Sequence, residues 1–189
     1  MCRRPRFIVL NELYMTDDSI LVQGYNDKWR KQRKILHQAL VPRAIIKYKP
    51  IQAAESKRLL WDLYKDPTHF ETHINRYAAS VVFCITYARR IESMQEKVMH
   101  DVNDAMEFVG SLNVPGAYLV ETFPVLKHLP TWLAPWKQHV MKRSKQDADF
   151  FGNLALEVKE REKNGKPVPD CFVKSLIDVH PDYLKGTNG

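Results

Sequence analysis

Apolar residues along this chain recur mostly at intervals of three and four, with little strict alternation, and no block of roughly 20 to 50 residues repeats. That period belongs to helices, so the pattern predicts a non-repeat, all-α protein with few or no strands. A first helix runs from about Lys28 to Leu40, with Asp27 as its N-cap and Pro42 forcing its end. A second spans roughly Pro50 to Tyr64 and closes at Asp66-Pro67. The longest apolar run, Tyr77 to Ala88, is broken only by Ser80 and Thr86 and reads as a buried helix. Ser93-Met94-Gln95-Glu96 has the form of a capping box, and Val98, Val102, Ala105 and Val109 continue from it at helical spacing.

From Asn113 to Trp136 the character changes. Pro115, Pro124, Pro130 and Pro135 forbid a long helix, while Phe123, Leu126, Leu129, Trp132 and Trp136 keep the segment apolar. A rigid, greasy connector is expected. The longest helix follows, from Lys137 to about Lys163, with a narrow stripe of Val140, Ser144, Ala148, Phe151, Ala155 and Val158; it stops at Asn164-Gly165. A short helix after Asp170 carries Phe172, Val173, Leu176 and Ile177. The polar run Lys185 to Gly189 reads as a domain interrupted, and 1–189 as a single partial domain.

Composition narrows the class. The chain has 189 residues, of which 44% are hydrophobic, enough for one sizeable core. Its cysteines, Cys2, Cys84 and Cys171, lie far apart, in neither a zinc pattern nor a secreted disulfide framework, which fits a reducing compartment. Cys84, inside the apolar run, is expected in the core. No apolar run approaches the roughly 20 residues needed to span a bilayer, and no signal or anchor is read before Arg3, Arg4 and Arg6. No metal-ligating set is expected from the histidines. The charge of +7, from 29 basic and 22 acidic side chains, suggests an acidic partner, with nucleic acid, anionic lipid and an acidic protein all open at this point.

Much of that charge lies in Lys28-Trp29-Arg30-Lys31-Gln32-Arg33-Lys34. On a helical wheel of about 100° per residue, Leu36 and Leu40 fall within about 20° of Trp29 and Arg33 within about 40°. Arg33 therefore shares the apolar face, whereas Arg30, Lys31, Lys34 and Gln38 point the other way, where a solvated basic surface is the plain reading. A guanidinium directed at a core cannot shed its proton and needs an anion, either a carboxylate from another helix or a bound carboxylate or phosphate.

The string Tyr25-Asn26-Asp27-Lys28-Trp29-Arg30-Lys31-Gln32-Arg33-Lys34-Ile35-Leu36-His37-Gln38 resembles the C-helix Trp-x-x-x-Arg motif of cytochrome P450 enzymes, particularly fungal ones. The resemblance continues in order: Arg4-Pro5-Arg6 is similar to the entry to the B helix, Ile85-Thr86-Tyr87-Ala88-Arg89-Arg90-Ile91 to the end of the E helix, and Glu121-Thr122-Phe123-Pro124 through Trp136 to the F–G connection. Asn26 and Ala88 stand where the family usually has glycine. The resemblance implies a partial cytochrome P450 fold, from the B to about the H helix. It implies haem as cofactor, with Trp29 and Arg33 as haem-propionate contacts. It also implies a reductase partner docking on Arg30, Lys31 and Lys34, a small apolar substrate, and peripheral membrane contact through Trp132 and Trp136. For the family it implies the cytosolic face of the endoplasmic reticulum membrane; without an anchor, this chain itself is placed in the cytoplasm.

Two family motifs are missing. None of the three cysteines lies in a Phe-x-x-Gly…Cys-x-Gly loop, so the axial thiolate is absent, and Lys185-Gly186-Thr187-Asn188 has the wrong order for the oxygen-activating Ala/Gly-Gly-x-Asp/Glu-Thr-Thr helix. Glu55-Ser56-Lys57-Arg58 matches Glu-x-x-Arg by letters alone and is read as chance. The expectation is an all-α fragment of a haem-dependent monooxygenase, inactive by itself. The alternative is a non-catalytic helical protein whose basic helix and greasy connector engage an acidic protein or an anionic membrane. Nucleic-acid binding through Lys28 to Lys34 lacks any supporting motif and is not expected.

Overall fold

Asn26, not Asp27, opens the first helix. Its Oδ1 accepts the backbone N–H of Trp29 at 2.7 Å and its carbonyl accepts that of Arg30, which places Asp27 in the first turn of α1, Asp27–Leu40. The residue that departs from the family's glycine is thus the cap. The computed structural model describes residues 7–16, 19–114 and 116–179, and among these every regular element is helical. Cys2, Arg4-Pro5-Arg6, Pro115 and Lys185 to Gly189 lie outside the described residues.

The later elements follow the predicted breaks. Pro42 starts the short α2, Pro42–Ile45, and α3 covers Lys49–Lys65. Asp66 and Pro67 then turn the chain into α4, Phe70–Tyr87. Only half of the expected capping box forms, ahead of the helix: Glu96 Oε1 accepts from the Ser93 N–H at 3.2 Å, but the Ser93 hydroxyl accepts from Gln95 rather than Glu96, and α5 runs Lys97–Leu112. The connector consists of α6, Leu119–Thr122, and two 3₁₀ turns at Pro124–His128 and Thr131–Leu133. After it come α7, Pro135–Lys163, and α8, Phe172–Val179.

The described residues fall into two compact units. The first belongs to Met1–Ile35 and Asp101–Phe150. Its core is Ile8, Val9, Leu10, Tyr14, Leu112, Val120 and Val140, with Phe108, Tyr118, Leu126 and Trp136 against it. A π-helical segment, Ile8–Tyr14, enters this core, and both oxygens of Glu121 accept its leading amides, Ile8 and Val9, at 2.9 Å. The Tyr14 hydroxyl donates to Asp147 Oδ2 at 2.6 Å, and Arg143 Nε approaches the same oxygen at 2.9 Å. The predicted stripe of α7 is corrected here: Asp147 is buried and Ala148 exposed, because the tyrosine and arginine together satisfy a carboxylate that polarity alone would place in water.

The second unit comprises Leu36–His100 and Phe151–Gly189 in its described part. Buried Arg76 of α4 donates to Glu55 Oε2 of α3 at 2.9 Å, and Arg90 Nε lies 2.6 Å from the other Glu55 oxygen. Glu55 is therefore committed to α4 and its exit, while Arg58 pairs with Asp62 and Glu92, so Glu-x-x-Arg here is indeed a match of letters. A smaller apolar cluster joins Val158, Cys171 and Val173. Cys84 is half-buried rather than core, and Val82 is exposed, so α4 presents one buried face and is not buried all round.

Candidate haem-propionate site on the first helix

Trp29 is 8% exposed and is the one buried side chain of α1. Its Nε1–H donates to the Ile20 carbonyl at 3.2 Å, and the Tyr25 ring meets it edge-on with centroids 4.7 Å apart. Arg33, one turn on, lies with its guanidinium carbon 5.1 Å from the centre of the Trp29 ring. The structure therefore brings Trp29 and Arg33 together, but not in the manner the wheel predicts. Arg33 is exposed and Leu40 is 58% exposed, so this face of α1 is no core face beyond Trp29. An exposed guanidinium carries no desolvation cost, and the demand for a buried counter-ion lapses.

What remains is a cation held on an aromatic platform with no carboxylate paired to it among the described residues. That arrangement fits one carboxylate of a porphyrin edge, because a guanidinium fork matches a carboxylate and stacking limits its rotamers. Arg30, by contrast, is paired to Asp27 at 2.6 Å on the outer face, where Lys31 and Lys34 are also exposed.

Ligation of iron by thiolate does not fit the described cysteines. Cys84 lies half-buried within α4 rather than in a loop, Cys171 is buried against Val158 and Val173, and burial pushes both thiols up. No group of three or more histidine, cysteine, aspartate or glutamate side chains is arranged for a metal among the described residues. The sequence does hold one helical histidine pair, His69 and His73, at i and i+4. Both turn to Asp66: His69 Nδ1 is 2.7 Å from its Oδ2 and His73 Nε2 is 2.9 Å from its carbonyl oxygen. They serve the start of α4.

In the connector, Trp132 is 72% exposed and is accompanied by exposed Phe123, Val125 and Leu133. Trp136 is half-buried, 5.9 Å from the Tyr118 ring, and packs on the core of its unit. Among the described residues no helix is long and apolar enough to cross a membrane.

Every regular element among the described residues is helical, and an arginine stacked on a buried tryptophan stands on the first helix where a carboxylate would fit. The family model for cytochrome P450 matches residues 2–179, and the chain belongs to the cytochrome P450 family, whose cofactor is haem. It is 33% identical to cytochrome P450 monooxygenase 58 of Postia placenta over 167 residues, 88% of this chain and 32% of that protein. It is 31% identical to a cytochrome P450 monooxygenase of Armillaria gallica over 192 residues, 97% of this chain and 37% of that protein. The chain thus spans about a third of the length of the curated relatives it matches.

Proposed function

We propose that this chain is the part of a haem monooxygenase that anchors a haem propionate on α1 and contributes to the wall of the substrate pocket. The observation that supports this is Arg33, a guanidinium stacked on buried Trp29 and unpaired with any described carboxylate. When bound, haem supplies the iron centre at which dioxygen is activated for insertion of one oxygen atom into a small apolar substrate. Arg33 would donate to the propionate carboxylate and pair with its charge, and Trp29 holds Arg33 in place, so these two residues would anchor the cofactor edge. The exposed Arg30, Lys31 and Lys34 form the face offered to an acidic reductase. Trp132 with Phe123 and Val125 offers an apolar surface to the cytosolic face of the endoplasmic reticulum membrane. With no thiolate suited to iron among its described residues, the chain alone is catalytically inactive.

The deciding experiment is titration of the full chain with haemin and with haemin dimethyl ester, which lacks the propionate charge. Haemin is expected to bind at least about tenfold more tightly, equivalent to about 1.4 kcal/mol, and Arg33→Gln to abolish that preference while Arg30→Gln preserves it. Equal affinity for the two porphyrins overturns the reading. The exposed apolar connector would then favour the second reading, a non-catalytic helical protein engaging an anionic membrane or an acidic protein.

A further inference from the structure

We infer that the corner joining α1 to α3, residues 40–49 in the second unit, is a docking surface for an anionic bilayer: Leu40, Ile45 and Ile46 enter its interface while Arg43, Lys47 and Lys49 meet its headgroup phosphates. It rests neither on the haem reading nor on the connector.

The sequence supplies the charge. From Lys28 to Ala54 the chain has no aspartate or glutamate, and Arg43, Lys47 and Lys49 are all exposed. The next carboxylate along the chain, Glu55, is buried and already held by Arg76 and Arg90. The corner therefore presents a positive field that its own stretch of chain does not neutralise.

The fold gives the corner a fixed shape. The Ala44 and Ile45 amides donate to the Val41 carbonyl at 2.8 and 3.0 Å, and a 3₁₀ turn, Ile46–Tyr48, leads into α3. The Tyr48 hydroxyl then donates to the Ala39 carbonyl at 3.1 Å, tying the start of α3 back to the end of α1. Leu40, Ile45 and Ile46 are left exposed by this arrangement, so each gains by leaving water.

Their neighbours decide what covers them. An apolar protein surface laid over Ile45 and Ile46 would desolvate Arg43 and Lys47 beside them, a cost that only carboxylates on that surface offset. A bilayer interface avoids the cost, since aliphatic carbons enter the acyl boundary while long cationic side chains reach the phosphates. An acidic protein is the weaker fit, because protein interfaces rely on aromatic anchors and the one aromatic of the corner, Tyr48, is half-buried with its hydroxyl turned to Ala39.

Flotation of the full chain with phosphatidylcholine vesicles, alone or mixed with phosphatidylserine, tests this. The wild type is expected to bind the mixed vesicles at least about tenfold more tightly. Arg43→Gln/Lys47→Gln/Lys49→Gln should lose at least about tenfold of that affinity, and Ile45→Ser/Ile46→Ser at least about fivefold. Lys142→Gln/Lys145→Gln/Lys159→Gln, three exposed positions of α7, removes the same charge and should cost less than about threefold. Equal losses in the two triple variants overturn the surface, since net charge alone would then attract the chain. A loss confined to Trp132→Ser overturns it in favour of the connector. Binding to poly-glutamate but to neither vesicle overturns it in favour of an acidic protein. Should the corner variants fail to fold, the wild type in nanodiscs carrying a gadolinium-tagged lipid decides: the amide signals of Ile45, Ile46 and Lys47 should broaden, and unaltered signals reject the surface.

Discussion

Ala88 ends α4 at φ 50° and ψ 39°, in the left-handed region where a Cβ crowds the backbone, at the position where the family usually carries glycine. Arg161 compensates by donating to the carbonyls of Tyr87 and Ala88 at 2.6 and 3.1 Å, satisfying acceptors that the helix end leaves open. Relief of roughly 1–2 kcal/mol of strain outweighs the loss of a half-buried methyl and the extra freedom of unfolded glycine, so Ala88→Gly is expected to raise stability by about 0.5 kcal/mol. Ala88→Val, β-branched, should lower it by more than about 1 kcal/mol. Urea midpoints measure both, and a valine variant as stable as wild type refutes the strain. At the other end of the same helix, hydrogen bonds from Thr68 and then His69 draw the Asp66 carboxyl down to about 2. A depressed carboxylate stabilises the fold above its unfolded value near 3.8 and loses that contribution as pH falls through about 2. Stability should therefore decline between about pH 4 and pH 2, and Asp66→Asn should flatten that part of the profile, as followed by melting temperature against pH.

Helix pairs are held by charges that no periodicity announces. Glu55 of α3 sits between Arg76 and Arg90, and Arg76 Nε lies 3.2 Å from Asp62 Oδ2 without the alignment of a hydrogen bond. Removing Glu55 leaves buried Arg76 with only the poorly aligned Asp62, while exposed Arg90 keeps Glu92, so Glu55→Ala is expected to cost about 3 kcal/mol in a urea titration. Asp27→Ala, which breaks the exposed pair with Arg30, should change stability by less than about 0.5 kcal/mol. Equal effects would show that Glu55 is not the link. The helices were legible because spacing and punctuation are local: α3 begins one residue before the expected Pro50 and ends one after Tyr64. Partners such as Tyr14 and Asp147 lie 133 residues apart, and only packing reveals that a carboxylate belongs inside. At the candidate site the pairing of Trp29 with Arg33 was legible, but the exposure of that face was not, since a wheel reports which residues share a side and not what covers it. The cap was visible as Asn26 and was assigned one residue late.

For the whole chain, the decisive quantity is apolar surface left in water. Leu60, Trp61 and Tyr64 on α3, Phe70, Ile74 and Val82 on α4, and Leu119, Phe123, Val125 and Trp132 in the connector are all exposed. Soluble monomers rarely leave so many large apolar side chains uncovered. The chain spans about a third of its relatives' length, so partners for these faces are to be sought in the remainder of such a protein. Opposing association is the net charge of +7, whose self-repulsion weakens as salt shortens the screening length. The two forces predict a distinctive sign: the chain alone should bind an apolar reporter dye and self-associate, and association should strengthen as ionic strength rises, opposite to a complex held by salt bridges. Sedimentation velocity at low and high salt, with dye fluorescence in parallel, checks this. A soluble monomer at both ionic strengths with a sharp cooperative melt would mean that these faces cover one another in solution and that the chain folds without the rest of its relatives' length.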